Sequence, residues 1–443
     1  MEENRDRRIT VIGAGITGSV LAMSLADRGH GVHLIERRAD PTSHRLENDR
    51  SINLALSHRG LLALGDVGLA DPVVASGIPM RGRMIHDRDG GLTFQPYGSA
   101  PEHHLVSVSR NGLNRRLIEG CRTRPSIELS FDHKVEDVDL ESGQVTTSRA
   151  NATSGQRRYD VIFGTDGAYS AVRQRLQRTS AFDFEQDFLE HGYKELTIPA
   201  AGDGGFRMEP EALHIWPRGS HMLIALPNPD GSFTCTLFWP HETDQQLGVD
   251  GASARAVFAA DFADALDLMP DMESEFDDHP VGTLLTTRCQ PWNLDDRILL
   301  LGDAAHAVVP FYGQGANAGL EDVSLLVREL DRGHDWTGAF DRFARGRKPD
   351  TDALAQLALD NYVEMRDHVA SRWFLAGKWL ERLLHRLFPQ WFTPLYTMVT
   401  FTSTPYAEAV QRARRQQQVT VAIVIAAAAV VLVLLGLVLA ALR

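Results

Sequence analysis

A short apolar strand, a glycine-rich turn, a helix and a second strand ending in an acid follow one another within the first 36 residues. That order limits what this chain can fold into. Ile9-Thr10-Val11-Ile12 reads as a buried strand. Gly13-Ala14-Gly15-Ile16-Thr17-Gly18 follows it, and a helical stretch from Ser19 to Arg28 is closed by Gly29. The second strand, Gly31-Val32-His33-Leu34-Ile35, ends at Glu36, 18 residues after Gly18. This is the βαβ dinucleotide-binding pattern in its proper context. Gly13 permits the tight turn, Gly15 lets a pyrophosphate approach the backbone, and Gly18 lets the helix pack close to the sheet. The helix N-terminus offers free N–H groups and a positive dipole end to phosphates, and Glu36 suits a ribose diol. The pattern predicts an α/β, Rossmann-like domain. Alone it does not separate a nicotinamide dinucleotide from a flavin dinucleotide.

The second half of the chain favours the flavin. Arg297-Ile298-Leu299-Leu300-Leu301 reads as a buried strand running into Gly302-Asp303-Ala304-Ala305-His306. Pro310-Phe311-Tyr312-Gly313-Gln314-Gly315-Ala316-Asn317-Ala318-Gly319 follows, and a helix continues from Leu320 to Leu330. A nicotinamide enzyme has no need of a second ligand loop so far from the first, whereas an extended FAD does. Asp303 is expected to hold the ribityl hydroxyls. Gly313, Gly315 and Gly319 let backbone lie against the flavin, and the helix starting near Ala316 aims its N–H groups at the ring's pyrimidine edge. A third segment, Tyr159 to Ser170, carries the pair Asp166-Gly167 after the apolar run Val161-Ile162-Phe163. His306 has no histidine or acid at metal-ligand spacing, so a core or cofactor-proximal role is expected and no metal site.

Composition removes other classes. The formal net charge is −13, which argues against a nucleic-acid partner needing a basic face for phosphates. Cys121, Cys235 and Cys289 are the only cysteines, with no CxxC spacing, which excludes a disulfide framework and a thiolate zinc site and fits a reducing compartment. No signal-peptide pattern opens the chain. Val419 to Leu442 are 24 residues without a charge, preceded by Arg412, Arg414 and Arg415. A helix of that length spans roughly 36 Å against a hydrocarbon core of about 30 Å. The expectation is one C-terminal transmembrane helix over 419–442, with the catalytic part on the cytoplasmic side because of the basic flank.

The three loop motifs, in this order, resemble the class A flavin-dependent aromatic hydroxylases, whose fold is that of p-hydroxybenzoate hydroxylase. In that class the Asp-Gly pair, here Asp166-Gly167, sits between FAD and a transient NADPH site. Longer runs resemble one family within the class, the kynurenine 3-monooxygenases. They include Arg50 to Gly60, Gly77 to His86, Leu213 to Arg218, Phe233 to Phe238, Asn361 to Arg366 and Pro394 to Phe401. The resemblance covers about residues 8 to 412. It implies bound FAD, NADPH as co-substrate, molecular oxygen, and L-kynurenine as the substrate hydroxylated to 3-hydroxy-L-kynurenine. A C-terminal membrane segment is also a feature of the family's mitochondrial members. A bacterial inner membrane is favoured by the arginine-rich, lysine-poor composition, and a mitochondrial outer membrane by the family precedent.

By resemblance, the cofactor contacts are Gly13, Gly15, Thr17, Gly18, Glu36, Arg37, Arg38, Ala55, Arg110, Val135, Asp166, Asp303, Gly315, Ala316 and Asn317. A kynurenine carboxylate calls for a bidentate arginine and a hydroxyl; the resemblance assigns these to Arg83 and Tyr97, with Asn361 and Tyr396 completing the polar end. The ring is expected among Leu213, Met222, Leu226, Phe238, Pro310 and Phe311. No catalytic side chain is assigned, because the flavin carries the chemistry. One departure stands out: the family often has methionine where this chain has Ala316, which enlarges the space beside the flavin.

The expected architecture is an FAD domain from residues 1–75, 100–178 and 285–330, and a mostly antiparallel sheet domain from 76–99 and 179–284. A helical region over 335–415 roofs the substrate site, and the anchor follows. Two other readings stay open. One is a related hydroxylase of another aromatic carboxylic acid. The other is a membrane-tethered flavoprotein that serves as an interaction module.

Overall fold

The computed structural model describes residues 7–43, 53–98, 100, 102–149, 152–240, 250–333, 335–363, 384, 388 and 391–441. Arg50-Ser51-Ile52 and Glu364-Met365-Arg366, parts of two runs quoted above, lie outside them.

Four strands that are buried on nearly every residue form the centre of a six-stranded sheet, parallel except for the edge pairing of Asn293–Leu294 with Ile298–Leu300. Its order is Asn293–Leu294, Ile298–Leu300, Val161–Gly164, Ile9–Ile12, Val32–Ile35, Ile127–Ser130. Ile9 pairs in parallel with Val161 on one side and Val32 on the other, and Ile162 pairs in parallel with Ile298. Continuous apolar runs of this kind suit a sheet covered on both faces, and the burial confirms it. Because these strands run the same way, the segments that follow Ile12, Gly164 and Leu300 all leave at one edge. That edge, outside the carboxyl ends of the strands, is where open α/β sheets bind ligands.

A second sheet of seven strands lies apart from the first. Its order is Gly282–Gln290, Asp183–Ile198, Phe233–Pro240, Met222–Pro227, Ala212–Pro217, Gly82–His86, Leu92–Pro96. Every pairing is antiparallel except that of Ala212–Pro217 with Gly82–His86. Side chains alternate faces with period two. Trp216, Leu223, Phe233 and Cys235 pack against Phe258 and Phe262 behind the sheet. Ile215, Met222 and Phe238 face the other way, toward Phe311 and Tyr362. Leu54–Leu56, Leu105–Val108 and Ile78–Met80 form a further small sheet.

Three helices complete the described body: Trp336–Val363, Leu395–Phe401 and the start of Tyr406–Ala441. Leu354, Met398, Val399 and Tyr406 share one apolar cluster, which seats them together.

The C-terminal segment corrects the sequence reading. Among the described residues no helix is long and apolar enough to cross a membrane, so the single-pass anchor over 419–442 and its inner- or outer-membrane placement are not met. A hydropathy reading treats 419–442 as a free-standing segment. In the structure residues 419–441 continue a helix that begins in the packed body, where Tyr406 and Ala409 are buried. That helix carries Glu408, Arg412, Arg414, Arg415 and three glutamines, 416–418, ahead of its apolar part.

Candidate active site

The first loop is shaped by what its glycines exclude. Gly13 has φ +100, and a Cβ there would come within 2.6 Å of the Thr165 carbonyl oxygen. A Cβ on Gly18 would lie 2.0 Å from the Gly13 carbonyl oxygen, so helix and turn touch backbone to backbone. Gly15 differs: nothing lies within 4 Å of the Cβ position, which leaves open space on the ligand side. The helix Ile16–Ala26 has no side-chain cap and no acid in its first turn, so its leading N–H groups remain available to an anion. Glu36 is buried, accepting from the Ala14 N–H at 2.9 Å and from the Arg38 N–H and Nε at 2.9 and 3.1 Å. Arg37 and Arg38 are exposed beside it.

The other two loops dock onto the first. Thr165 donates its hydroxyl to the carbonyls of Ile12 and Gly13, both at 2.9 Å. Asp166 accepts from the Ala171 N–H at 2.6 Å, at the start of the helix Ala171–Leu176 that Ser170 caps. Burial pushes its carboxyl up, and its Oδ1 is buried without a hydrogen-bond partner. Gly302 has φ +59 and opens the short helix Asp303–His306. Thr17 Oγ1 is the meeting point of the loops: Cβ atoms on Gly302 and Gly319 would fall 2.9 and 2.5 Å from it. Gly315 and Ala316 are half-buried at the start of the helix Gly315–Asp331, which also lacks a side-chain cap.

Three expected contacts have other tasks as well. Asn317 is buried, donating to the carbonyls of Ala55 and Gly313, both at 2.9 Å, and accepting from the Ser57 N–H at 2.9 Å. It clamps the small sheet to the flavin loop. Val135 packs its side chain in the core around the parallel sheet. Arg110 is exposed at the start of the helix Arg110–Arg122.

These features fit an extended FAD. An open glycine, two uncapped helix starts, a buried ribose-type acid and an orphaned Asp166 oxygen line one edge of one sheet. Gly13, Gly15, Glu36, Asp303 and Gly315 are the residues that would hold it.

On the substrate side the structure brings three of four expected residues together. Arg83 comes from the strand Gly82–His86, and its Cζ lies 5.1 Å from the Tyr396 ring and 5.9 Å from the Tyr97 ring. The two tyrosine rings stack at 5.3 Å and 17°. Burial pushes both phenols up while Arg83 opposes it. Asn361 sits in the neighbouring cluster, where its amide donates to the Phe311 carbonyl at 2.6 Å and fixes the turn Pro310–Tyr312. Leu213 packs against both clusters, Met222, Phe238 and Phe311 line one, and Leu226 lines the other. Pro310 is exposed.

Sequence reasoning missed a buried ionic cluster beneath the flavin loops. Asp322 and Arg347 are wholly buried, and Arg347 Nε donates to Asp322 Oδ1 at 2.8 Å. His306 belongs to it, with Nε2 2.6 Å from Asp322 Oδ2. The available signal was two adjacent acids, Glu321-Asp322, set between the apolar residues Leu320 and Val323.

Comparison with known proteins agrees with this geometry. Residues 6–350 match the model of an FAD binding domain. The fold is shared with solved flavoproteins. One is 2-methyl-3-hydroxypyridine-5-carboxylic acid oxygenase, with TM-score 0.68 and 21% identity over 82% of this chain and 93% of that one. Another is a probable FAD-dependent monooxygenase from Pseudomonas aeruginosa, with TM-score 0.64 and 22% identity over 84% of this chain and 99% of that one. Fold and loops therefore define an FAD-binding flavoprotein of the p-hydroxybenzoate-hydroxylase type. The kynurenine 3-monooxygenase of Myxococcus xanthus is 45% identical over 414 residues, 93% of this chain and 89% of its own length. That of Stenotrophomonas maltophilia is 44% identical over 415 residues, 93% and 91%. The chain belongs to the kynurenine 3-monooxygenase family.

Proposed function

We propose that this chain is an FAD- and NADPH-dependent monooxygenase that converts L-kynurenine, oxygen, NADPH and a proton into 3-hydroxy-L-kynurenine, NADP and water. The observation that carries the reading is the near full-length identity to kynurenine 3-monooxygenases, 45% over 93% of the chain. The site geometry supports it. FAD, when bound, supplies the redox chemistry by passing electrons from NADPH to oxygen.

The chain's own residues bind, orient and keep water out. Arg83 offers the substrate carboxylate a charge-assisted, forked contact. Because burial pushes the phenols of Tyr97 and Tyr396 up, both stay protonated at neutral pH and donate to that carboxylate. Asn361 steadies the turn that carries Phe311, whose ring lies 4.9 Å from Phe238. These rings, with Met222 and Leu213, form the dry surface on which the aniline ring rests. The ring's amino group supplies the electron push toward its ortho carbon, so no strong protein base is required. Water at the reacting oxygen would divert it to hydrogen peroxide, which is the reason for apolar walls here.

Incubating the FAD-loaded protein with NADPH, oxygen and L-kynurenine tests this. The expected product is heavier by one oxygen atom and depends on NADPH. NADPH oxidation that gives only hydrogen peroxide would reject kynurenine as substrate. It would favour another aromatic acid that Arg83 can hold.

A further inference from the structure

A chain of buried charges runs from the Gly302 turn to the helix that carries Tyr396. Asp322 Oδ2 accepts from the Gly302 N–H at 2.9 Å and lies 2.6 Å from His306 Nε2. Asp322 Oδ1 accepts from Arg347 Nε at 2.8 Å. Arg347 Nη2 lies 2.8 Å from Glu321 Oε2, and Glu321 pairs in turn with Arg59. Arg59 donates to the Val399 carbonyl at 3.0 Å and to the Thr404 carbonyl, at the end of the helix Leu395–Phe401. Both guanidinium groups lie over the Tyr406 ring, at 4.2 and 5.3 Å.

Stability alone is a poor reason for such a cluster. Desolvating charges is costly, and buried ion pairs replaced by well-packed apolar groups are often as stable or more so. What ionic contacts add is direction and a single geometry. Burial by itself would raise the Asp322 carboxyl, but His306 and Arg347 hold it at about 2, so it stays a carboxylate through the neutral range. The turn it grips is sharp: Gly302 has φ +59, and the next residue is Asp303.

We propose that Asp322 is a positioning residue for the flavin: through the Gly302 N–H and the His306 imidazole it sets the turn that presents Asp303, and through Arg347 and Glu321 it ties that turn to the Tyr396 helix. The proposal rests on the reading of Asp303 as a flavin contact. Loosening Asp322 then has two consequences. FAD is held less tightly, and the flavin loses its register with the substrate end.

The test compares Asp322→Asn, His306→Ala, His306→Gln, Asp303→Ala and Arg28→Ala, all starting from the FAD-loaded protein. Asp322→Asn is expected to raise the FAD dissociation constant at least tenfold, shift the visible flavin bands, and increase the share of NADPH that ends as hydrogen peroxide. His306→Ala moves the same readouts by less, and His306→Gln, which keeps an N–H for Asp322, restores them. Arg28 pairs with Asp331 at the far end of the same helix. Its replacement is expected to lower the melting temperature slightly without touching FAD affinity or spectrum. The proposal is overturned if Asp322→Asn or His306→Ala lowers only the melting temperature, as Arg28→Ala does. If Asp322→Asn does not fold, the His306 pair decides. An unchanged FAD affinity in Asp303→Ala overturns the reading of Asp303 and the proposal together. Weakened FAD in Asp303→Ala with unchanged FAD in Asp322→Asn overturns the positioning role alone.

Discussion

The loops around the glycine turns and the pocket around Arg83 differ in how their buried polar groups are used. Around the glycine loops side chains hold the backbone: Glu36 holds Ala14, Asn317 clamps Ala55, Ser57 and Gly313, and Asp322 grips Gly302, while Asp166 Oδ1 is left open. Around Arg83 the open group is a neutral hydroxyl. The Tyr97 hydroxyl is buried within reach of Arg83 and Tyr396 but is aligned with neither. Leaving a buried hydroxyl unmet costs about 1–3 kcal/mol, which a ligand that meets it returns as affinity. The difference teaches that the loops fix their backbone with buried side chains before any ligand arrives, whereas the Arg83 pocket keeps a neutral donor free to turn toward one.

The comparison breaks most easily at Gly18. Gly18→Ala drives a methyl into the Gly13 carbonyl oxygen, 2.0 Å away, where only backbone can yield. FAD should be absent from the purified variant while the substrate sheet keeps its fold. Measuring the flavin-to-protein absorbance ratio and far-UV circular dichroism checks both.

The next effect is a pH dependence of stability. Burial lowers His214, behind the substrate sheet, to about 4. Its folded value lies below the unfolded one, near 6.5, so the unfolded chain binds the extra proton first. Stability should therefore be full above about 6.5 and fall by about 3 kcal/mol as pH drops toward 4. Asp322 is also lowered, to about 2, so its contribution is present above the ordinary carboxyl range near 4 and fades as pH falls through 2. Burial lowers His33 of the parallel sheet to about 4 as well, so melting temperatures at intervals from pH 7 to 3 should show the higher limb flatten in part in His214→Gln. An unchanged limb would remove His214 as its source.

Arg83→Ala sharpens the contrast in function. Loss of a charged hydrogen-bonding partner is worth about 1.5–3 kcal/mol, or roughly 10–100-fold in kcat/KM for L-kynurenine. FAD content should not change. Full turnover with kynurenine would show that the carboxylate lies elsewhere. The smallest effect belongs to Tyr97→Phe. It removes a neutral donor worth about 1 kcal/mol, so kcat/KM should fall roughly fivefold. Because the hydroxyl lacks an aligned partner in the free protein, the melting temperature should hold or rise. A lowered one would mean the hydroxyl was already bonded.

How much of this was legible depended on the range of the force involved. The Gly13 turn, the Ile9–Ile12 strand and the acid at Glu36 were readable because glycine conformation, strand burial and helix starts are set by neighbouring residues. The pairing of Arg83 with Tyr97 and Tyr396 was reached only through family resemblance, since no local pattern brings those segments together. Asn317 was named as a cofactor contact, and its side chain turned out to hold backbone. The tail misled for the converse reason. A run of apolar residues is local information, but the helix to which 419–441 belongs starts inside the packed body at Tyr406.

The sequence by itself determined the cofactor class and the three loops, because tight turns and apolar strands are constraints each segment satisfies alone. The tertiary structure decided how they meet. Parallel strands drawn from distant parts of the chain bring the loops to one edge, where Thr17 joins Gly302 and Gly319. It also decided which charges matter. Asp322 and Arg347 become strong partners only once packing removes the water between them, and no spacing in the chain records that event.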